Sequence, residues 1–231
     1  MKNCKKEAME HQYNIQFETI EKRGAVKMGP TASHLWRNDP RHLCFLLSRY
    51  KFCSKVLSGK KKVLEVGCGE AFGTPLVLQT VSSLHGIDFD PLYIDWAKDV
   101  TGKENPRSSF SVIDITKQVP DGGPYDAVYA LDFIEHINKK NENSAMSNIC
   151  KVLTEDAICI LGTPNLTASK YSGRDSKIGH INLKSEESLR NLAQKYFDSV
   201  IIFSMNDEVV HTGYYPMAHY LFAVCLGVKK R

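Results

Sequence analysis

The residues best suited to chemistry gather in a few short stretches. The first is Val63-Leu-Glu-Val-Gly-Cys-Gly-Glu-Ala-Phe-Gly73. Gly67 and Gly69 directly follow an apolar run and precede a helix start at Thr74-Pro75. Glycine takes backbone conformations closed to other residues and lets a ligand approach closely. Such a turn, at the carboxyl edge of a first strand, is where an open α/β sheet binds its ligand. The spacing is G-x-G-x-x-x-G, with Phe72 where a dinucleotide-binding turn would carry its third glycine, which argues against a pyrophosphate. Glu65 points the same way: its carboxylate would repel a pyrophosphate but suits a ligand bearing an ammonium and a sulfonium. Asp88, 21 residues after Gly67, ends the next apolar run. A carboxylate there can accept hydrogen bonds from both hydroxyls of a ribose.

A second group is Asp132-Phe-Ile-Glu-His136, and a further imidazole stands in Ile178-Gly-His-Ile-Asn-Leu183. Imidazole titrates near neutral pH, so His136 and His180 are the candidate bases for taking a proton from a hydroxyl. Two other segments interleave aromatic and polar groups that can stack on a ring and fix its hydroxyls. They are His34-Leu-Trp-Arg-Asn-Asp39 and residues 206–215, which carry Asp207, Glu208, His211, Tyr214 and Tyr215.

These residues need elements to hold them. Asp39-Pro40 opens a helix over 40–57, with an N-cap carboxylate and proline at the first helical position. Leu43, Leu46, Leu47, Tyr50 and Leu57 lie along it at helical spacing. From residue 61 short apolar runs alternate with helical segments. Strands are expected at 62–66, 84–88, 110–113, 125–131, 157–161, 200–203 and 220–226. Helices are expected from Thr74, from Asp90-Pro91, over 144–153 and from Ser185, whose helix carries Leu189, Leu192, Ala193 and Phe197 on one face. This alternation predicts an α/β, Rossmann-like, seven-stranded and mostly parallel sheet with helices on both faces. Residues 206–215 connect the last two strands without a helix, as a hairpin would, making one strand near the C-terminus antiparallel.

The chain of 231 residues suits a single domain spanning 1–231: an N-terminal helical cap (1–60), a ligand-binding core (61–165), a lid (164–184) and a substrate loop (206–219). The lid segment is polar and contains Pro164, Gly173 and Gly179, as a mobile cover does. A net charge of +4, with basic runs only at Lys60-Lys61-Lys62 and Lys229-Lys230-Arg231, argues against nucleic acid as a partner. Seven cysteines without a CxxC pair suggest a reducing compartment, with no disulfide framework and no zinc knuckle. Neither a signal-type leader nor a membrane span is evident, so a cytoplasmic location is expected.

Together these pieces resemble the class I S-adenosylmethionine-dependent methyltransferases. The carriers are Leu64-Glu-Val-Gly-Cys-Gly69, Gly86-Ile-Asp-Phe-Asp90, Val112-Ile-Asp-Ile115, residues 125–136 and Leu161-Gly-Thr-Pro-Asn165, in the family's order and spacing. The resemblance implies that Glu65, Gly67, Cys68 and Gly69 line the methionine part of the cofactor. It places Asp88 on the ribose, Phe89 on the adenine, Asp114 and Ile115 at the adenine border, and Leu131 close to the sulfonium. Arg49 would pair with the methionine carboxylate.

Asp132-x-x-Glu135-His136 looks closest to the UbiG/Coq3-like O-methyltransferases of the methyltransferase type 11/12/23 group, where an acid-x-x-Glu-His stretch has a proposed metal role. If a helical turn begins at 132, these three side chains share a face and can hold a Mg²⁺ ion or act as a general base. The implied activity is methyl transfer to a small molecule or glycan, at a hydroxyl, with His136, His180 and Glu135 as catalytic residues. N-methylation of a metabolite or amino sugar is the alternative. An NAD-dependent oxidoreductase and a non-catalytic interaction module rank lower, given Phe72, Glu65 and the intact acids and glycines.

Overall fold

Short apolar runs whose side chains alternate faces become strands, and the computed structural model gathers them into one sheet. It describes residues 8–230, apart from the side chains of residues 174 and 175. Cys4, the polar residues 1–7 and Arg231 lie outside the described residues. The strands are β1 (Lys62–Val66), β2 (Ser83–Asp88), β3 (Ser108–Val112), β4 (Tyr125–Leu131), β5 (Leu153–Pro164), β6 (Phe197–Asn206), β7 (Val209–His211) and β8 (Tyr220–Val228). Their spatial order is β3-β2-β1-β4-β5-β8-β6-β7. Strands β1 to β5 are mutually parallel. β8 is antiparallel to both β5 and β6, and β7 is antiparallel to β6.

Eight strands therefore replace the expected seven, and two of them, β7 and β8, run against the rest. The last two expected strands, β6 and β8, do pair antiparallel, as the lack of a helix between them suggested, and within their connection Val209, Val210 and His211 also turn back on the end of β6. Three residues are too few to show an alternating pattern in sequence.

The chain winds outward from β1 to β3 and then returns to β4 beside β1. That reversal opens a crevice at the carboxyl ends of β1 and β4, the binding position of open α/β sheets. Side chains alternate across the sheet into two cores. Leu64, Val66, Val128 and Ala130 pack with Met146, Ile149, Leu189 and Phe197 on one face. Val63, Ala127 and Tyr129 pack with Tyr50, Cys53, Leu57 and Phe222 on the other. Each such burial contributes about 1.5–3 kcal/mol. Cys53, Cys68, Cys159 and Cys225 are buried among these apolar groups.

The helices are α1 (Asn14–Arg23), α2 (Pro30–Asn38), α3 (Pro40–Val56), α4 (Thr74–Leu78), α5 (Pro91–Ala97), α6 (Glu142–Cys150), α7 (Arg174–Gly179) and α8 (Glu186–Gln194). Two of the expected caps form. Asp90 accepts from the Leu92 amide at the start of α5, and Ser185 caps α8 in a box with Ser188. Asp39 does not cap α3: it ends α2 as well, and its side chain makes no cap hydrogen bond. Proline at N1 and the buried face of Leu43, Tyr50 and Cys53 hold α3 instead. Among the described residues no helix is long and apolar enough to cross a membrane.

Tyr50 packs so closely on the glycine turn that a Cβ at Gly73 would lie 2.2 Å from its ring. Gly73→Ala should therefore destabilise the protein by about 1–3 kcal/mol through overpacking. A urea midpoint equal to wild type would show that α3 does not press on this turn.

Candidate active site

The crevice is a cleft of about 430 Å³. One wall is the glycine turn, where Gly67 (φ +73°) and Gly69 (φ +52°) adopt left-handed conformations. Asp88 braces that turn: its carboxylate accepts from the Gly69 amide at 3.0 Å and the Asp90 amide at 3.0 Å. A carboxylate offers about four lone-pair sites, so acceptor capacity remains toward the cleft, which Asp88 lines. Phe89 projects there with 71% of its surface exposed, an apolar face that a planar ligand would cover. Ile113, Asp114, Ile115 and Thr116 form the far bank, and Leu131, Asp132, Phe133 and His136 the end under the lid. Asp114 accepts from the Thr116 amide and hydroxyl and from Lys117. Cys68 also lines the cleft.

Two expected cofactor residues stand elsewhere. Glu65 is buried behind the turn, not on the cleft wall, where its carboxylate accepts from the Thr74 hydroxyl at 2.6 Å. Burial pushes its carboxyl up to about 7, against the opposing pull of the Thr74, Tyr129 and Tyr50 hydroxyls. Tyr50 does line the cleft, so Glu65 communicates with it through that phenol. Arg49 points at Asp132, with Nη1 at 2.8 and 2.7 Å from its two carboxylate oxygens. The guanidinium also lies 4.0 Å over the Tyr220 ring. A cation this deeply buried needs an anion, and Asp132 is the one the fold supplies.

Residues 134–136 form a short 3-10 turn that carries both Glu135 and His136. Glu135 is fully buried. Its Oε2 accepts from the Thr163 hydroxyl at 3.0 Å, while Oε1 has no hydrogen-bond partner among the described residues. Burial, reinforced by the nearby Asp132 charge, pushes its carboxyl up to about 8.

His136 faces the cleft. Its Nδ1 lies 3.1 Å from the Gly179 carbonyl, which can only accept, so Nδ1 carries the proton and Nε2 presents a lone pair. The His180 ring sits 5.1 Å from that of His136, nearly perpendicular. Burial, and then the neighbouring His136, lower the His180 pKa, which favours the neutral imidazole. The 164–184 segment is fastened here by Asn182, whose amide donates to the Glu135 carbonyl and whose side chain donates to Glu142. Lys184 pairs with the same Glu142.

The expected face of Asp132, Glu135 and His136 does not form as a metal set, because Arg49 occupies the Asp132 carboxylate. The donors that do converge are Glu135, His136 and His180, with one ligand atom from each lying within 4.8 Å of the others. Thr31, Leu46, Tyr50, Tyr93 and Phe133 also line the cleft and had no sequence signal, since only tertiary folding brings them there.

Residues 63–156 match the methyltransferase domain family. No curated protein matches the chain. Among solved structures, the chain is similar to the methyltransferase domain of bacterial CtHen1-C, with a TM-score of 0.66 and 21% identity, covering 79% of this chain and 99% of that one. It is also similar to a TehB-like SAM-dependent methyltransferase from Corynebacterium glutamicum, with a TM-score of 0.59 and 15% identity over 94% and 96% of the two chains. A third is the N-methyltransferase NodS of Bradyrhizobium japonicum in complex with S-adenosylhomocysteine, with a TM-score of 0.60 and 17% identity over 83% and 91%. These likenesses fix the fold as that of class I methyltransferases. Residues 63–156 are thus a methyltransferase-type domain, and the chain shares its fold with S-adenosylmethionine-dependent methyltransferases.

The Glu65 environment has a pH signature in the ligand-free protein. Its folded pKa of about 7 stands above the ordinary 4.5, so the stability it contributes is full below about pH 4.5 and is lost as pH rises through 7. Glu65→Gln should remove that loss. Urea unfolding at pH 5 and pH 7.5 should show wild type weakening relative to the variant at the higher pH. An equal gap at both values would mean that burial does not raise this carboxyl.

Proposed function

We propose that the protein moves a methyl group from S-adenosylmethionine to a hydroxyl of a small molecule or glycan. The observation that supports the reading is that His136 lines the cleft with His180 packed beside it, next to residues whose chemistry suits an adenosyl ligand.

The cleft residues fit the cofactor in chemistry. Asp88 retains acceptor capacity for the ribose hydroxyls, Phe89 offers an uncovered face to the adenine, and Asp114 offers a carboxylate to its amino group. Ile115 packs at the adenine border. Gly67 and Gly69 allow close backbone approach, and Cys68 and Leu131 pack along the methionine part and the sulfonium. Glu65 supports the ammonium end from behind Tyr50. The bound cofactor supplies an activated methyl on its sulfonium. The protein supplies orientation, exclusion of water and a place for the proton. His180, held neutral, accepts the proton of the acceptor hydroxyl. His136, held by the Gly179 carbonyl, packs edge-on against His180 and positions it. Glu135, kept protonated by burial, adds no negative charge that would hold the proton back.

A second reading uses the same atoms as metal ligands. Glu135, His136 and His180 form an N₂O donor set, which suits a Mn²⁺- or Zn²⁺-like ion better than the Mg²⁺ expected from two carboxylates. The Asp132-x-x-Glu135-His136 stretch supports kinship with the UbiG/Coq3-like enzymes. N-methylation is kept as the alternative acceptor chemistry, in view of NodS. The chain is also similar in fold to the small RNA methyltransferase HEN1, of which it covers 26%. We favour a small acceptor over RNA here because the net charge is only +4. Retained buried thiols fit a reducing, cytoplasmic setting.

Calorimetric titration with S-adenosylhomocysteine tests the cofactor assignment, with NAD in a parallel run. Wild type should bind the former only. Asp88→Ala should weaken that binding about tenfold or more through loss of charged acceptors, and unchanged affinity would remove Asp88 from the ribose site.

His180→Ala should keep S-adenosylhomocysteine affinity within about twofold while turnover of a hydroxylated acceptor falls about 10²–10⁴-fold. An unchanged rate removes His180 from proton transfer. Loss of wild-type turnover in EDTA, restored by Mn²⁺, would favour the metal reading over the base.

A further inference from the structure

The glycine turn carries a carboxylate that the methyl-transfer reading does not use. Glu70 follows Gly69 directly, yet only 4% of its surface is exposed. Its Oε2 accepts from the Thr31 amide at 2.7 Å and its Oε1 from the Ala32 amide at 2.7 Å. Those are orphan amides in the first turn of α2, groups that a capping side chain normally satisfies. The N-cap residue of α2 is Gly29, which has no side chain to offer. A Cβ at Gly29 would lie 2.5 Å from Glu70 Cδ, so glycine is what allows the distant carboxylate to take the capping position. Negative charge is also favoured at a helix N-terminus by the helix dipole.

We propose that Glu70 is a positioning residue that fastens the N-terminal arm, residues 23–38, across the cofactor cleft, so that the cofactor enters and leaves only when this clasp opens. The proposal rests on the reading of the cleft as the S-adenosylmethionine site. The arm has little else to hold it. α1 buries no residue, and α2 buries only Ala32. Besides the packing of α2 on α3 and a Thr31–Tyr93 hydroxyl contact, its ties are exposed ion pairs, Lys27 with Asp99 at 3.6 Å and Arg23 with Glu104. Such pairs contribute little.

Thr31, beside the clasp, lines the cleft, and its hydroxyl lies 3.4 Å from that of Tyr93 on α5, whose ring borders Gly69. The arm therefore closes the cleft on its glycine-turn side, touching both that turn and α5. A ligand that orders the glycine turn orders Glu70 with it and favours the closed arm. By linkage, the closed arm slows release of that ligand. Segments with few buried apolar contacts are the ones that open locally at low cost, as such a gate requires.

The test uses the full chain with S-adenosylhomocysteine as probe, reading its dissociation rate by stopped flow and tryptic cleavage after Arg23 and Lys27. Wild type should be protected at both sites when saturated. Glu70→Ala should release the probe about tenfold faster or more, corresponding to the loss of charge-assisted bonds, and lose most of that protection. Glu70→Gln, whose amide keeps one accepting oxygen, should fall between. Gly29→Ala, which breaks the fit from the other partner, should act in the same direction. A purely structural role would lower the urea midpoint and leave release and ligand-dependent protection unchanged. A folded Glu70→Ala or Gly29→Ala protein with wild-type release and protection overturns the proposal. If wild type does not bind the probe, the cofactor reading fails instead. The clasp is then judged on ligand-free cleavage, where equal rates in wild type and Glu70→Ala overturn it.

Discussion

A buried arginine needs an anion, and that need organises the carboxyl edge of this sheet. Arg49 on α3 reaches Asp132 at the end of β4, and the pair is stacked beneath by Tyr220 from β8. Three elements distant in sequence are thereby locked together. Asp132 takes a left-handed backbone (φ +50°) to meet the guanidinium. Its amide lies 3.3 Å from the Tyr220 hydroxyl. Gly162 on β5 lets this happen, since a Cβ there would sit 2.6 Å from both Leu131 and the Tyr220 hydroxyl.

That pairing sets the charge state of what lies next to it. Arg49 is committed to Asp132, so Glu135 has burial and a neighbouring negative charge acting on it, and it holds its proton up to about pH 8. His136, with His180 packed against it, then lies at a cleft end with an ion pair on one side and a neutral carboxyl on the other. A second polar network holds the lid in register with them. Asn182 bonds the backbone of Ile134 and Glu135, and Lys184 joins Glu142 in a buried pair. Burial lowers the Lys184 pKa to about 8. Buried ion pairs seldom add much net stability, but their geometry is specific. Here that specificity places Gly179 and His180 against His136.

The parts that must move are those with the least apolar attachment. The N-terminal arm borders the cleft through Thr31 and the 164–184 segment touches its His136 side through Gly179, and both are held largely by hydrogen bonds and ion pairs. The strands beneath them are buried on both faces. A rigid sheet with polar fastenings at its rim is a physical basis for exchanging a cofactor without loosening the core.

Much of this was legible in the chain itself. Short, near-continuous apolar runs marked β1 and β4 to the residue, because strands buried on both faces leave a strong local signal. Asp90-Pro91 and Ser185 marked their helices, since capping is local chemistry. The glycine turn with Asp88 located the cleft, because only strand ends bring such residues to a sheet edge. Sequence placed Arg49 and Glu65 on the cofactor, and tertiary structure moved both: one to Asp132, the other behind Tyr50. It also replaced Asp132 by His180 in the converging donor set, extended the sheet with β7, and brought Glu70 to Gly29. The division follows from range. Capping, turn conformation and alternation act within a few residues and are written in the local sequence. The partner of a buried charge is whichever group the fold brings near, and that is decided only once strands, helices and lid have packed.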